Sequence, residues 1–543
     1  MTFYSILFPA LEDEARAKVH PWLTFRADDN KSAKYTMRGN KIVLASRDSK
    51  PDMPMRPGLY QDLNLVKVMD TVLCHDADDE LTELFYHFCP DTATVFYRQD
   101  VMRALEDAQV RNAFQTFLQS MAKAGRLFLC GRQAHHAAQR DKYMVDGAVL
   151  YCSAIRRLLL QASALTVHAQ GLLRFLDAVR GYAGEARFVR LEEQTQQAKN
   201  TLESISYSLH VNGGMLHVDF EAGTEDYAQA LHQEFDAKAR WGAQMDERQM
   251  EILPFRQVEL SPLEGLIMKA LMEKHPKAFD GIHAAAEGAL FLPEPFIGRF
   301  ARELRFYLLY LDLMIKLRGN GCAFAYPAIA GDGVISIDGA YDLALAIQTE
   351  AVVPNDFELL EGERSAVITG ANQGGKTTFA RSIGQIAVLA ALGLPVPCER
   401  ACLPLYSSIF SQFTQPEDAG VDNGKLKEEL LRLKPILQDA GISSLVILNE
   451  LFSSATAQDA LDMAGRALTL LMDAGAHAVF VTHINGLCLD HAVSMVAQVQ
   501  KASGQRLYRI IRAEADGQAY ASEIARRHHL TYTQIKERIA HGV

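Results

Sequence analysis

Gly370-Ala-Asn-Gln-Gly-Gly-Lys-Thr377 fits the phosphate-loop pattern G-x-x-x-x-G-K-[ST] at every fixed position. Ser365-Ala-Val-Ile-Thr369 precedes it, a β-branched run that reads as a buried strand. Thr378-Phe-Ala-Arg-Ser-Ile-Gly-Gln-Ile-Ala-Val-Leu-Ala390 follows and reads as a helix. Strand, glycine loop and helix together aim main-chain N–H groups and a helix N-terminus at phosphate oxygens. Residues Gly370, Ala371, Asn372, Gln373, Gly374, Gly375, Lys376, Thr377 and Thr378 are therefore expected to cradle a nucleoside triphosphate. Gly374 and Gly375 let the backbone curl with no Cβ in the way. Lys376 supplies a cation near the β and γ phosphates, and Thr377 a hydroxyl for Mg²⁺, a cation that prefers oxygen ligands.

Two more apolar runs end in polar residues. Ser444-Leu-Val-Ile-Leu-Asn-Glu450 has the form of a Walker B strand. An Asp usually stands before the Glu there to hold the Mg²⁺ shell; here Asn449 takes its place, with an amide oxygen but no charge. Glu450 remains as the candidate catalytic base. His477-Ala-Val-Phe-Val-Thr482 is a second such strand, and His483 after it is a candidate contact to the γ-phosphate.

The chain has 543 residues, more than one core supports, and suggests about three domains. It is 49% hydrophobic and 22% charged, as soluble globular proteins are, with a net charge of −11 that does not advertise a nucleic-acid binder. Its eight cysteines include no C-x-x-C pair and no zinc spacing, so reduced thiols are expected. No signal peptide opens the chain, and no apolar run is long enough to span a bilayer, so a cytoplasmic location away from membranes is expected.

Along the chain, residues 1–60 read as short helical stretches ending in a linker, Pro51-Asp-Met-Pro-Met-Arg-Pro-Gly58. Residues 61–320 read as a mostly helical region. Its interruption is Ser206-Tyr-Ser-Leu-His-Val, Asn212-Gly-Gly, Met215-Leu-His-Val-Asp-Phe, which alternates like a hairpin around a glycine turn. Helix is expected again over 225–250 and 262–318. Residues 321–515 alternate strands and helices, the α/β pattern. Residues 516–543 form a short C-terminal element. The paired histidines His135–His136 and His528–His529 are poor ligand sets, because neighbours on a helix point about 100° apart. Trp22 and Trp241 read as packing residues.

These residues resemble the ATPase domain of the MutS family of DNA mismatch-repair proteins. The match is carried by Val353-Pro-Asn-Asp, by Thr369-Gly-Ala-Asn-Gln-Gly-Gly-Lys376, by Ile409-Phe-Ser-Gln-Phe with Asp418 and Glu429, by Leu445-Val-Ile-Leu-Asn-Glu-Leu-Phe-Ser-Ser-Ala-Thr456, and by Phe480-Val-Thr-His483. Tyr520-Ala-Ser-Glu-Ile-Ala-Arg-Arg-His-His-Leu530 looks like the family's helix-turn-helix dimerisation element. The resemblance implies a multi-domain chain. Its C-terminal end is an α/β P-loop ATPase domain of the ABC type, preceded by a shortened, mostly α-helical core and lever region with a small hairpin. It also implies ATP and Mg²⁺ as cofactors, with Thr377 and Asn449 on the metal. It further implies a homodimer through the ATPase domains, completed by Asp422-Asn-Gly-Lys-Leu-Lys-Glu-Glu429 of each copy, and helical arms that clamp duplex or branched DNA, with other repair proteins as further partners.

Departures from the family pattern shape the expectation. Gly424 and Lys425 stand where a Ser-Thr pair is usual, and Val352 stands where an aromatic packs on adenine. With Asn449 these imply nucleotide binding with slow hydrolysis. Residues 1–60 hold no equivalent of the Phe-x-Glu wedge that reads mismatches, so the resemblance implies a stand-alone relative that keeps a motor and clamp without direct mismatch readout. The alternative is a nucleotide-gated dimeric scaffold that recruits proteins and does not bind DNA. Arg156, Arg157, Arg180 and Lys238 are candidate DNA contacts, although a solvated helix face is the better explanation for any one of them.

Overall fold

The computed structural model describes residues 3–10, 12, 35–38, 41–44, 58–73, 79–212, 215–220, 260, 262–331, 333–349, 351–413, 424–483, 486–487, 489–500, 506–514 and 531–540. The chain forms two compact units.

The first unit comprises residues 1–3, 104–168 and 172–301 and is helical. Its longest pieces are Ala108–Gln133 and Ala137–Ser163, which pack along one another. Asp107 starts the former by accepting hydrogen bonds from the N–H groups of Gln109 and Val110, an N-cap that satisfies two otherwise orphaned donors. Val110, Phe114, Phe117, Met121, Ala124 and Phe128 then recur at helical spacing and are all buried. Phe175 and Phe300 stack at the centre, with Phe3 and Phe117 edge-on to Phe175. The expected hairpin is present: β3 (Ser208–Asn212) pairs antiparallel with β4 (Met215–Asp219), Asn212 opposite Met215.

The second unit comprises residues 4–103, 169–171 and 302–543. Its centre is a six-stranded sheet in the order β10 (Ser408–Phe413), β11 (Ser444–Asn449), β12 (His477–Val481), β8 (Ser365–Gly370), β13 (Ala492–Val499), β14 (Arg506–Arg512). All neighbours run parallel except β14, which is antiparallel to β13. Strands β8, β11 and β12 are buried almost throughout, as parallel strands covered on both faces require. A smaller sheet follows the order β5 (Ala328–Ala330), β9 (Arg400–Pro404), β6 (Ile335–Ala340), β7 (Asn355–Leu359).

Helices Gly58–Asp62, Leu65–Val72 and Thr92–Glu106 lie largely in this second unit, although the sequence reading placed residues 61–320 in one helical region. Their contacts explain it. Buried Arg98 donates from Nε to the Leu7 carbonyl at 2.9 Å and from Nη1 to the Leu392 carbonyl at 2.9 Å, at the C-terminal end of helix Lys376–Ala391. Gln385 of that same helix donates to the Leu63 carbonyl at 2.8 Å. Helical periodicity reveals an apolar face but not the neighbour that covers it. One expectation is corrected. Tyr35–Arg38 and Lys41–Leu44 (β1 and β2) pair as antiparallel strands where short helices were expected. Thr36, Ile42 and Val43 favour the pleat, and Gly39-Asn40 separates the two runs in sequence as a hairpin turn does. The expected helix at 225–250, Trp22, Trp241, His528–His529 and residues 515–530 lie outside the described residues; Tyr532–Ala540 is helical. No helix among the described residues is long and apolar enough to cross a membrane.

At the edge of the large sheet where β12 begins, buried His477 is held from both sides. Arg364 Nη1 lies 3.2 Å from Nε2, and Tyr406 Oη lies 2.9 Å from Nδ1. Burial first, and the Arg364 charge second, push its pKa down to about 4 from 6.5. The unfolded chain therefore binds a proton between pH 6.5 and 4 that the folded chain refuses. Stability supplied by neutral His477 is complete above pH 6.5 and is lost as pH falls towards 4, by about 3 kcal/mol. Urea unfolding across that window should give a His477→Gln variant whose stability falls less steeply with acid, by about 1.4 kcal/mol per pH unit. An unchanged slope contradicts the assignment.

Candidate nucleotide site

The carboxyl ends of β8, β11 and β12 meet at one edge of the large sheet, where open α/β sheets place their ligands. From β8 the chain turns through residues 371–375 into helix Lys376–Ala391. The turn needs glycine at two points. Gly370 has φ +118°, and a Cβ there would meet Ala497 atoms at 3.0 Å. Gly375, the residue before the helix, has φ +90°. Gln373 adopts φ 59° without being glycine, and Arg506 Nη1 donates to its Oε1 at 2.7 Å.

Lys376 is 4% exposed, and its ammonium donates to the carbonyls of Gly370 at 2.9 Å and Ala371 at 3.0 Å. Burial holds its pKa below the usual lysine value, and the Glu450 carboxylate pulls it partly back. The ammonium is thus curled over the mouth of the loop, bound to two neutral carbonyls. Next to it, Thr377 Oγ1 donates to Asn449 Oδ1 at 2.9 Å, across from helix to strand. Two neutral oxygens converge there, with the Glu450 carboxylate on the following residue. This is an oxygen set compatible with Mg²⁺, one formal charge short of a set carrying Asp.

Glu450 has φ 56°, and its N–H donates to the Val481 carbonyl at 2.8 Å. Its Oε1 lies 2.8 Å from His483 Nε2. The two candidate catalytic side chains at the ends of β11 and β12 are therefore in direct contact, both about one-third to two-fifths exposed. A cavity of about 540 Å³ opens beside them, a size that suits a small-molecule ligand. Val352 lines it, and so do Tyr341, Leu345 and Tyr508, along with Gln373, Lys376, Thr377, Thr378 and Glu450. Gly370, Ala371, Asn372 and Gly374 complete the loop; Asn372 is exposed.

Sequence reasoning missed several residues. Asn355, quoted only within Val353-Pro-Asn-Asp, is buried and ties β7 to β14. Its Oδ1 accepts from Ile510 N–H at 2.7 Å, and its Nδ2 donates to the Tyr508 carbonyl at 3.0 Å. It thereby holds Tyr508, with φ 55°, beside Gly375. Asp342 and Gln385 brace the helix after the loop, joined at 2.9 Å. A buried polar residue inside an apolar stretch was the available signal. Of the candidate DNA contacts, Arg156 grips Glu192 with both Nε and Nη2, and Arg180 Nη1 lies 2.6 Å from Asp177. Arg157 is exposed, and Lys238 lies outside the described residues. No metal-binding cluster of His, Cys, Asp and Glu is present among the described residues, His135 and His136 included.

Strand, glycine turn, buried lysine and the Thr377–Asn449 pair thus come together at one end of an α/β sheet. Residues 366–530 match MutS domain V. The DNA mismatch repair protein MutS of Natronomonas pharaonis is 30% identical over 225 residues, covering 40% of this chain and 26% of that protein. The DNA mismatch repair protein MutS 2 of Halobacterium salinarum is 31% identical over 225 residues, covering 40% and 26%. Endonuclease MutS2 of Gemmatimonas aurantiaca is 26% identical over 325 residues, 58% of this chain and 36% of that protein. Over this segment the chain is thus similar to domain V of MutS proteins. The match spans between about a quarter and about a third of the length of these relatives.

Proposed function

We propose that this protein is a MutS-like ATPase in which ATP and Mg²⁺ gate a dimeric clamp on duplex or branched DNA, in mismatch repair or a related repair or recombination process, without direct mismatch readout. The ATPase domain is of the ABC type, and two copies pair through it. The observation that carries the reading is the meeting of Lys376, Thr377, Asn449, Glu450 and His483 at the carboxyl ends of three adjacent strands, inside a segment matching MutS domain V. The relatives named for DNA mismatch repair support the setting.

In this reading the loop amides and Lys376 hold the β and γ phosphates. Thr377 and Asn449 would hold Mg²⁺, which neutralises charge on the phosphate oxygens. Glu450 accepts a proton from the attacking water as the water oxygen bonds to the γ-phosphorus and the bond to the β–γ bridging oxygen breaks. His483 holds the Glu450 carboxylate in place. Asn449 is the weak point, because a neutral amide attracts a divalent cation less than a carboxylate does. Asn449→Asp should raise Mg²⁺-dependent turnover about tenfold, checked by phosphate release across a Mg²⁺ titration; no rise would show that the metal is held otherwise.

A second reading, a nucleotide-gated scaffold that recruits proteins and not DNA, is favoured by the pairing of Arg156 and Arg180 with carboxylates and by the net charge of −11. Turnover measured without DNA and with linear, mismatched and branched DNA separates the two. Stimulation that fades with salt supports the clamp; indifference to every DNA supports the scaffold.

A further inference from the structure

The turn after β11 is strained at two places. Glu450 and Phe452 have φ 56° and 63°, values that side-chain-bearing residues disfavour and that persist only where the surroundings enforce them. The Glu450 end is tied to β12 through Val481. The Phe452 end is tied elsewhere: its N–H donates to Glu429 Oε2 at 2.8 Å. Glu429 lies in the first turns of helix Lys425–Asp439 and is buried. The same helical turn is pinned to β10, where Gln412 Nε2 donates to the Glu429 carbonyl at 2.9 Å. Phe452 packs with Leu433 and Ile436 of that helix in one core cluster. The other carboxylate oxygen, Oε1, is buried and accepts no hydrogen bond from the described residues.

From this geometry we infer that Glu429 is a positioning residue for hydrolysis. Its carboxylate latches the strained turn so that Glu450 faces the nucleotide and His483. Movement at the N-terminal end of helix Lys425–Asp439 is thereby passed to the base. A glutamate here does what no small polar residue could, because the acceptor must cross from helix to turn through an apolar layer.

The inference rests on Glu450 being the base, so its test uses readouts with and without turnover. Glu429→Ala should lower kcat about 100-fold, as misplacement of a catalytic group by about an ångström does. Its ATP Kd should stay within about twofold of the parent, because Glu429 does not line the cavity. Hydrogen exchange should quicken at the Phe452 amide. Glu429→Gln should recover most of the turnover, since the amide oxygen accepts the same bond. If the Ala variant does not fold, Glu429→Asp, which keeps the charge and withdraws the acceptor, replaces it with the same expectations. Unaltered Phe452 exchange in Glu429→Ala overturns the latch whether or not the protein hydrolyses ATP. Undiminished turnover, or a Gln variant as defective as the Ala variant, overturns the positioning role. Absence of turnover in the parent overturns the hydrolysis reading, while the exchange result still decides the latch.

Discussion

Lys376→Ala should weaken ATP binding by about two orders of magnitude, roughly 3 kcal/mol. The side chain is buried at the mouth of the loop and is engaged by two main-chain carbonyls, so its desolvation has already been met in folding. Burial depresses its pKa, which means that the ammonium is under-solvated and gains more from an arriving phosphate than an exposed lysine would. The main-chain amides remain in the variant and retain residual affinity. Lys376→Met keeps most of the apolar stem and removes only the charge, so it should match the Ala variant if the ammonium is what matters. Titration of both with a fluorescent ATP analogue gives the answer. Affinity within about threefold of the parent in either variant removes Lys376 from the phosphate site.

Glu450→Gln should lower turnover by about two to four orders of magnitude while leaving ATP affinity within severalfold. Gln presents an amide oxygen that can still accept from His483 Nε2, where the carboxylate now sits at 2.8 Å, so the arrangement survives and only basicity is lost. The backbone at φ 56° treats the two side chains alike. The variant should therefore accumulate bound ATP, seen as unhydrolysed nucleotide after rapid desalting. Single-turnover phosphate release isolates the chemical step from product release. Turnover equal to that of the parent would mean that another group takes the proton.

The glycine turn after β8 was legible because its backbone leaves few choices. A loop that wraps phosphate needs glycine where φ is positive, and Gly370 and Gly375 show those values. The Thr377–Asn449 contact was legible as a pairing of roles, and the hairpin of β3 and β4 as a change of period around Asn212-Gly-Gly. The residues that brace the site were less so. Asn355 meets Ile510 across 155 positions of sequence, and Glu429 meets Phe452 across 23. A single hydrogen bond between distant segments leaves no periodicity to read. Tyr508 stood in a mixed strand with no alternation to set it apart, and only its place beside Gly375 brings it to the cavity. The grouping of residues 58–103 with the α/β unit was likewise invisible, because it depends on which apolar surface each helix covers.

Calorimetric titration of the intact protein with ATP in the presence of Mg²⁺ tests the central claim most directly. Saturable binding of one nucleotide per chain, abolished or weakened about a hundredfold by Lys376→Ala, is the predicted result. A protein that keeps its fold and takes up no adenine nucleotide at millimolar concentration would contradict the account from the phosphate loop outward.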